Sequence, residues 1–374
     1  MEGEHIRHLF PGNNTSLGFY SYYAYILPQR QANRIYCLKG GPGTGKSTFL
    51  KRIGKAMSEA GYGVEYMHCS SDPDSLDGLV IPALRAALID GTAPHVTDPV
   101  HPGAVDEIIN LGEYWDGDAI RLHREPIMRL TEQIGRLFKR AYKYIGAAKS
   151  LMDDIVETFE QATDMAGAPR QAQRIIEREM WKEPVDGRLG SIRKLFATAI
   201  TPAGIVHHLD TLFDHDYKVY SIKNIWGVGV HDLLTRLGTE AVCRGLDTEM
   251  FYCPVMPETR IEHVLIPELK LAFVSENRYF ELKNHRQAII DMTQYTDLAA
   301  IEPQKAVLEF DIGSFQSLLE EAVGTLAQAK RLHDELEQYY VPHMDFEGVK
   351  KRGEEVCRRI LELAENSAVL HGRY

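Results

Sequence analysis

The residues with the clearest chemical meaning form the glycine-rich segment GGPGTGKST at residues 40–48, called here the first loop. An apolar run of β type, residues 36–39, precedes this loop, and a helix-forming run follows at once. Glycines allow successive backbone N–H groups to point inward without Cβ clashes, and the following helix adds the positive end of its dipole. The segment fits the spacing G-x-x-x-x-G-K-S/T and therefore predicts a phosphate-binding loop.

Each residue type in the first loop has an expected part in holding Mg·ATP. Lys46 is expected to reach the β- and γ-phosphates, and Ser47 to bind Mg²⁺. The predicted nucleotide-binding residues are Gly40, Gly41, Pro42, Gly43, Thr44, Gly45, Lys46, Ser47 and Thr48. The alternative is a glycine-rich turn between a strand and a helix that binds no ligand.

Two acidic residues further along the chain are candidates to complete the site. Asp90 ends an apolar run at residues 86–90, and a carboxylate at the end of a parallel strand beside the loop can bind Mg²⁺ with Ser47. Asp72 follows the second predicted strand, and we expect it to orient or deprotonate an attacking water. Asp74 and Asp77 share that segment and compete for the role. Ordinary turn chemistry and a solvent-facing aspartate are the alternatives. The predicted catalytic residues are Lys46, Asp72 and Asp90.

The chain also contains a tandem repeat of nearly its whole length. IRHLF at residues 6–10 recurs as IRKLF at residues 192–196, and residues 34–50 align with residues 218–234. The order and spacing are kept, so chance is a poor explanation. The sequence therefore predicts two units: residues 1–186, with the first loop and a helical extension, and residues 187–374, its copy.

The copy of the loop, residues 224–232, is called here the second loop, and it differs where the chemistry is expected. Gly227 and Gly229 keep the glycines, but Asn224, Val230, His231 and Asp232 replace Gly40, Lys46, Ser47 and Thr48. Met256 and Ser275 align with Asp72 and Asp90. Valine cannot neutralise a phosphate, and Asp232 would repel one. We therefore expect the second loop to bind no triphosphate in the usual way. A loop retained for packing is favoured over a remodelled ligand site.

Strand and helix signals alternate in both units. Strands are predicted at residues 34–39, 64–69, 85–90, 218–223, 248–253 and 270–275, with helices at 46–59 and 231–244. Helix-like stretches precede them at residues 19–27 and 205–213, and long helices are predicted at 118–165, 315–340 and 346–370. This order predicts an α/β fold in which each unit has a largely parallel sheet followed by long helices.

Two further clusters of residues are interpreted as structural. The aromatic run at residues 19–25 is favoured as core rather than as a platform for adenine. Six basic residues on the first long helix are favoured as a solvated face, although any of them can serve as an arginine finger or a lid contact. They are Arg121, Arg124, Arg129, Arg136, Lys139 and Arg140.

The composition limits the remaining classes of function. The formal net charge of -11 argues against a protein that coats nucleic acid. No apolar run approaches the length of a membrane span, and the acidic start at residues 1–4 is not typical of a signal peptide. Five cysteines without C-x-x-C spacing indicate a reducing compartment. We expect a cytoplasmic protein without membrane or nucleic-acid partners.

The motifs also resemble known families. TSLGFYSYYAYIL before RIYCLKGGPGTGKST resembles the RecA-like P-loop ATPases, as does the interval from Lys46 to Asp72, although those proteins normally carry Glu there. The whole chain resembles an uncharacterised bacterial family of tandem-duplicated ATP-binding proteins with the signatures RHLF, GGPGTGKS, HCSSDPDSLDG and DGTAPH. The resemblance implies ATP binding, and Val230 restricts its transfer to the first unit.

Together these patterns predict Mg-dependent ATP binding and hydrolysis by the first unit. The second unit is expected to be a non-hydrolysing pseudo-domain that supplies contacts to a protein partner or to another copy of the chain. A nucleotide or small-molecule kinase and a non-enzymatic ATP sensor are the alternatives, because a phosphate-binding loop alone does not separate the three.

Overall fold

A computed structural model describes residues 5–92, 97–180, 187–277, 279–280 and 288–371 of the chain. The predicted boundary between residues 186 and 187 falls at the edge of a described range. The end of the DGTAPH signature lies outside the described residues.

The two halves of the chain contain the same succession of elements. The first half contains β1 (Ile6–Leu9), β2 (Gly12–Thr15), β3 (Gly18–Ser21), β4 (Arg34–Lys39), α1 (Lys46–Glu59), β5 (Val64–Cys69), β6 (Asp72–Ile81), β7 (Ala86–Asp90), β8 (Asp106–Asn110), α2 (Gly117–Arg121), α3 (Arg124–Gln161) and α4 (Gly167–Glu179). The second half contains β9 (Ile192–Leu195), β10 (Thr198–Thr201), β11 (Gly204–His207), β12 (Lys218–Lys223), α5 (Val230–Cys243), β13 (Thr248–Tyr252), β14 (Ile261–Ile266), β15 (Leu271–Ser275), β16 (Ala288–Asp291), α6 (Leu298–Ile301), α7 (Lys305–Glu337) and α8 (Phe346–His371).

Each half forms a six-stranded sheet, and the strand order is the same in both. The first sheet has the order β1-β5-β6-β7-β4-β8 and the second β9-β13-β14-β15-β12-β16. All strands run in one direction except β6 and β14, which are antiparallel to both neighbours. The predicted α/β fold with mostly parallel sheets is therefore confirmed, with one antiparallel strand in each sheet that the sequence did not indicate.

The prediction of helices at residues 19–27 and 205–213 is wrong. Each stretch begins with the second strand of a two-stranded hairpin, formed by β2 with β3 and by β10 with β11. A short 3₁₀ helix follows each hairpin, at Tyr23–Tyr25 and Leu209–Thr211. In the first hairpin, Gly18 at the turn takes a left-handed backbone conformation with a φ of 97°. Strand pairing across the hairpin then overrides the helical propensity of the stretch.

The long helices α3 and α7 pack against each other as an antiparallel pair. The start of α3 lies beside the end of α7, where the rings of His123 and Tyr339 are 5.3 Å apart. Beyond the other end of α3, Thr163 Oγ1 lies 2.9 Å from Thr296 Oγ1 of the second half. A helix of 38 residues is about 57 Å long, so α3 carries the chain from the first sheet to the second.

This crossing exchanges the last helix of each half. After α3, helix α4 packs on α5 of the second half, and after α7, helix α8 packs on α1 of the first half. Val356 and Ile360 of α8 are completely buried in the core of the first sheet, against Phe49 and Ile53. Complete burial of a valine or isoleucine contributes about 2 kcal/mol, so the second half stabilises the first directly.

The two sheets meet along β1 and β9, and the contacts repeat across this seam. Phe10 and Phe196 exchange backbone hydrogen bonds of 3.0 Å in both directions. Below them, Arg7 and Arg193 interdigitate with Glu65 and Glu249 in a buried group of two cations and two anions, called here the seam quartet.

Three half-buried histidines, His8, His68 and His208, lie together at the same seam. His68 Nδ1 donates to the carbonyl oxygen of Pro73, which leaves its Nε2 to accept from His8 Nδ1 at 2.7 Å. The ring of His208 stacks on Phe10 and lies 4.5 Å from the ring of His68. Burial lowers the pKa of His8, lowers that of His68 to about 4 and lowers that of His208 to about 3.

We expect His208→Phe to weaken the dependence of folding stability on pH. A histidine whose pKa is lowered by folding stabilises the protein above its ordinary pKa of 6.5, and this contribution is lost as the pH falls toward 3. Each such proton changes the free energy of unfolding by about 1.4 kcal/mol per pH unit. Nε2 of His208 has no hydrogen-bond partner in the described part of the chain, so a phenyl ring can replace the imidazole.

Urea unfolding between pH 4.5 and 7 measures this effect. At the acidic end of this range, His208→Phe should lower the slope of the free energy of unfolding against pH by close to one proton. An unchanged slope in His208→Phe would show that folding does not lower the pKa of His208.

Candidate functional site

The first loop joins β4 to α1 at the carboxyl edge of the first sheet. Gly43 and Gly45 take left-handed backbone conformations, with φ of 66° and 85°, and Gly45 is the N-cap of α1. Both conformations favour glycine, because a Cβ would clash with the backbone there. Helix α1 begins at Lys46, so the backbone N–H groups of its first turn face the concave side of the loop.

Lys46 and Asp90 come together at this edge. Strands β4 and β7 are adjacent and parallel, which places the end of β7 beside the first loop. Lys46 Nζ lies 3.6 Å from Asp90 Oδ2, and donates to the carbonyl oxygens of Gly40 and Gly41 at 2.8 and 2.9 Å. Burial raises the pKa of Asp90, and the charge of Lys46 opposes that rise. A cation and a carboxylate thus share a largely buried site.

The remaining expected metal ligand, Ser47, lies on the neighbouring face of α1. Its hydroxyl oxygen accepts a hydrogen bond of 3.1 Å from the backbone N–H of Leu76 on β6. Asp90 Oδ1 accepts from the backbone N–H of Thr92 at 2.8 Å. An oxygen of each residue is thus already held in place by the backbone. A serine hydroxyl and an aspartate are oxygen ligands of the kind that Mg²⁺ prefers.

Asp72 is positioned differently from Asp90. It is the first residue of β6 rather than part of a loop, and it accepts a hydrogen bond of 2.9 Å from the hydroxyl of Ser75. Lys330 Nζ of α7 lies 3.4 Å from Asp72 Oδ2. Although burial opposes it, the carboxylates of Asp334 and Asp72 raise the pKa of Lys330. The second half therefore supplies a cation to the carboxylate that the sequence proposed as the base.

Asp77, which competes with Asp72 for that role, is buried in the body of β6. It accepts a hydrogen bond of 2.7 Å from the hydroxyl of Tyr23, and burial raises its pKa to about 6. Glu262 holds the same register position on β14 of the second half, and burial raises its pKa too. Because both halves keep an acid at this position while only the first keeps the lysine, we assign Asp77 to packing rather than to catalysis.

The end of α7 lies directly on the first loop, which the sequence did not indicate. The backbone N–H of Gly43 donates a hydrogen bond of 3.2 Å to Glu337 Oε1. A Cβ at Gly41 would lie 3.3 Å from the ring of Tyr340, and one at Gly43 would lie 2.9 Å from Val341 Cγ2. An inward amide of the loop thus binds a carboxylate, which is the behaviour expected of an anion site.

The second loop has the same shape but satisfies its own hydrogen bonds. The backbone N–H of Gly227, the counterpart of Gly43, donates to Asn224 Oδ1 at 2.6 Å. Arg260 donates to the carbonyl oxygen of Trp226 in this loop, as Lys46 donates to carbonyl oxygens of the first loop. Val230 is buried in the core. An amide that is satisfied inside the loop is not available to a phosphate, which supports the prediction that this loop binds no triphosphate.

A cavity of about 340 Å³ lies above the second loop. Its lining is mostly apolar and includes Met152 of α3 and Phe315 of α7. Helix α7 therefore reaches both loops, with Phe315 near its start and Glu337 at its end.

The two clusters interpreted as structural lie where that interpretation places them. Tyr22 and Tyr23 are buried, and the hydroxyl of Tyr22 donates to the carbonyl oxygen of Pro257 across the seam at 2.5 Å. All six basic residues predicted on the first long helix are exposed, with Arg121 on the short helix α2 and the other five on α3, namely Arg124, Arg129, Arg136, Lys139 and Arg140.

Comparison with known proteins adds no identification. The chain matches no protein-family model, no curated protein and no solved structure. Among the described residues, no helix combines the length and the apolar character that crossing a membrane requires.

Proposed function

We propose that the first half of this protein binds Mg·ATP at the first loop and hydrolyses it. The observation that carries the proposal is the approach of Lys46 to Asp90, 3.6 Å apart, beside a loop whose Gly43 amide already binds a carboxylate. Lys46 neutralises the β- and γ-phosphates, and Ser47 with Asp90 holds Mg²⁺, which adds positive charge where negative charge develops. Asp72 then orients the attacking water, with Lys330 holding its carboxylate.

Phosphate release by the purified protein tests the proposal, measured alone, with EDTA and with a panel of metabolites. Turnover without an acceptor that stops on addition of EDTA is the expected result. Turnover only with a particular metabolite would favour a kinase instead. Tight ATP binding without phosphate release would favour a sensor, and absence of binding would overturn the proposal.

Glu337→Ala is expected to strengthen nucleotide binding about tenfold. The carboxylate of Glu337 occupies the amide of Gly43 that the phosphates need, so a nucleotide must break this charge-assisted hydrogen bond before it binds. Titration calorimetry with a non-hydrolysable ATP analogue measures the change. Glu335→Ala is the matched control, because Glu335 lies on the same helix but is exposed. Equal affinities of Glu337→Ala and the wild-type protein would show that Glu337 does not compete with the phosphates.

A further inference from the structure

A groove of about 410 Å³ runs between α1 and α8 and opens at the first loop. One wall is α1 of the first half and the other is α8 of the second half. A nucleoside is small enough for a groove of this size, which falls in the range of small-molecule sites. The residues that line it include Gly45, Thr48, Arg52, Phe346, Lys350 and Gly353.

The groove lies on the side of α1 where a bound nucleotide would leave the loop. Ser47 turns toward β6, since its hydroxyl accepts from Leu76, and Asp90 lies at the edge of the sheet. Successive helical residues are separated by about 100°, so Thr48 turns away from Ser47 and toward α8. If the terminal phosphates are bound by Lys46 and the first loop, the nucleoside end would extend past Thr48 into the groove.

The lining of the groove suits an aromatic base attached to a sugar phosphate. The ring of Phe346 is 42 % exposed and lies 3.4 Å from the position of a Cβ on Gly45. A Cβ at Gly353 would lie 3.3 Å from the ring of Phe49, so glycine at this position keeps the groove open. Arg52 has no ion pair with any described residue, and Lys350 lies across from it on α8. Glu354 also lines the groove, so the exposed aromatic ring is accompanied by two cations and one carboxylate, a lining that is still net positive for a base and its α-phosphate.

We propose that this groove is the nucleoside subsite of the first loop, with the base stacked on Phe346. The inference rests on the proposed function, because it assumes that phosphates occupy the first loop. It adds that the site is composite: the first half binds the phosphates, and α8 of the second half binds the base. The second half therefore completes the site rather than serving only as a copy without activity.

Comparison of two ligands tests the subsite separately from the phosphate site. Titration calorimetry with Mg²⁺ is carried out with a non-hydrolysable ATP analogue and with tripolyphosphate, which has the phosphates but no nucleoside. Phe346→Ala should weaken the ATP analogue about tenfold, as expected for a lost stacking contact, and leave tripolyphosphate within twofold. Arg52→Ala should weaken both ligands to a similar degree, because tripolyphosphate also carries a phosphate at the α position. Phe310→Ala is the matched control, because Phe310 is 71 % exposed on α7, away from the groove.

The outcomes separate the two proposals. If the wild-type protein binds neither ligand, both the proposed function and the proposed subsite are wrong. If it binds both ligands equally well, the first loop binds phosphate but the groove holds no nucleoside. Equal weakening of both ligands by Phe346→Ala, with an unchanged melting temperature, would also overturn the subsite.

Discussion

Lys46→Ala is expected to reduce phosphate release at least about 100-fold, the largest effect on activity that the site predicts. Lys46 is the cation beside Asp90 at the first loop, and its ammonium donates to two loop carbonyls. Without it, the phosphates would face Asp90 and Glu337 with no lysine to neutralise them, so both binding and turnover should fail. Phosphate release and calorimetric titration with the ATP analogue measure the two losses.

Lys55→Ala is the matched control for this change. Lys55 lies on the same helix, and its side chain is 76 % exposed in a surface pair with Glu59. Its removal should alter neither binding nor turnover by more than about twofold, because exposed pairs contribute little. Thermal unfolding shows whether Lys46→Ala remains folded. Turnover that survives in a folded Lys46→Ala protein would contradict the assignment of the site to the first loop.

The parts of this site that local sequence determines were predictable. Strand β4 and helix α1 occupy residues 34–39 and 46–59, the bounds predicted from an apolar run, a pair of glycines and a helical run. The approach of Lys46 to Asp90 was also expected, because the ends of adjacent parallel strands meet at one edge of a sheet. Their roles in binding and catalysis stay predictions.

Strand β6 was not predictable from its own residues. Its first half, the segment DPDSLD, reads as a turn, since aspartate, proline and serine favour turns. In the folded protein this segment pairs, among the described strands, only with β5, through Asp72 and Leu76, whereas residues 78–80 of the same strand pair with both β5 and β7. The two-sided pairing of residues 78–80 fixes the strand in the sheet, and its turn-like start continues along β5 against a weak local preference.

The contributions of the second half to the site were also not predictable. Nothing near residue 43 indicates a contact with Glu337, and nothing near Gly45 indicates a contact with Phe346. These contacts depend on the length of α3 and α7, which carry each half's last helix onto the other half. The repeat itself predicts two similar units, but the exchange of α4 and α8 depends on how the connecting helices pack.

The exchange explains why a half that lacks the phosphate-binding lysine keeps its framework. The core of the first sheet includes α8, and the core of the second sheet includes α4. Loss of either half therefore exposes apolar surface on the other. The second loop keeps its shape without the lysine, serine and threonine of the first loop, because Asn224 and Arg260 bind its backbone groups.

Arg193→Met is expected to reduce the free energy of unfolding by about 3–5 kcal/mol, the largest effect on stability that the fold predicts. Arg193 lies 2.6 Å from Glu65 Oε2 and 2.9 Å from Glu249 Oε1, and it also donates to the carbonyl oxygen of Ile26 at 2.9 Å. The two arginines lower the pKa of both glutamates despite their burial. Removal of one arginine leaves two buried carboxylates with Arg7 as their shared cation. One of the two glutamates must then bind a proton or move into contact with water.

Two further variants show whether charge balance is the cause. Arg193→Met with Glu249→Leu leaves Arg7 paired with Glu65, so this double variant should recover more than about 1 kcal/mol of the loss, because the unpaired carboxylate is gone. Lys149→Met removes a pair that is 35 % and 45 % exposed, and should cost less than about 0.5 kcal/mol. Urea unfolding at pH 7 measures all three. If the double variant is less stable than Arg193→Met, the seam depends on the shape of these side chains rather than on the balance of their charges.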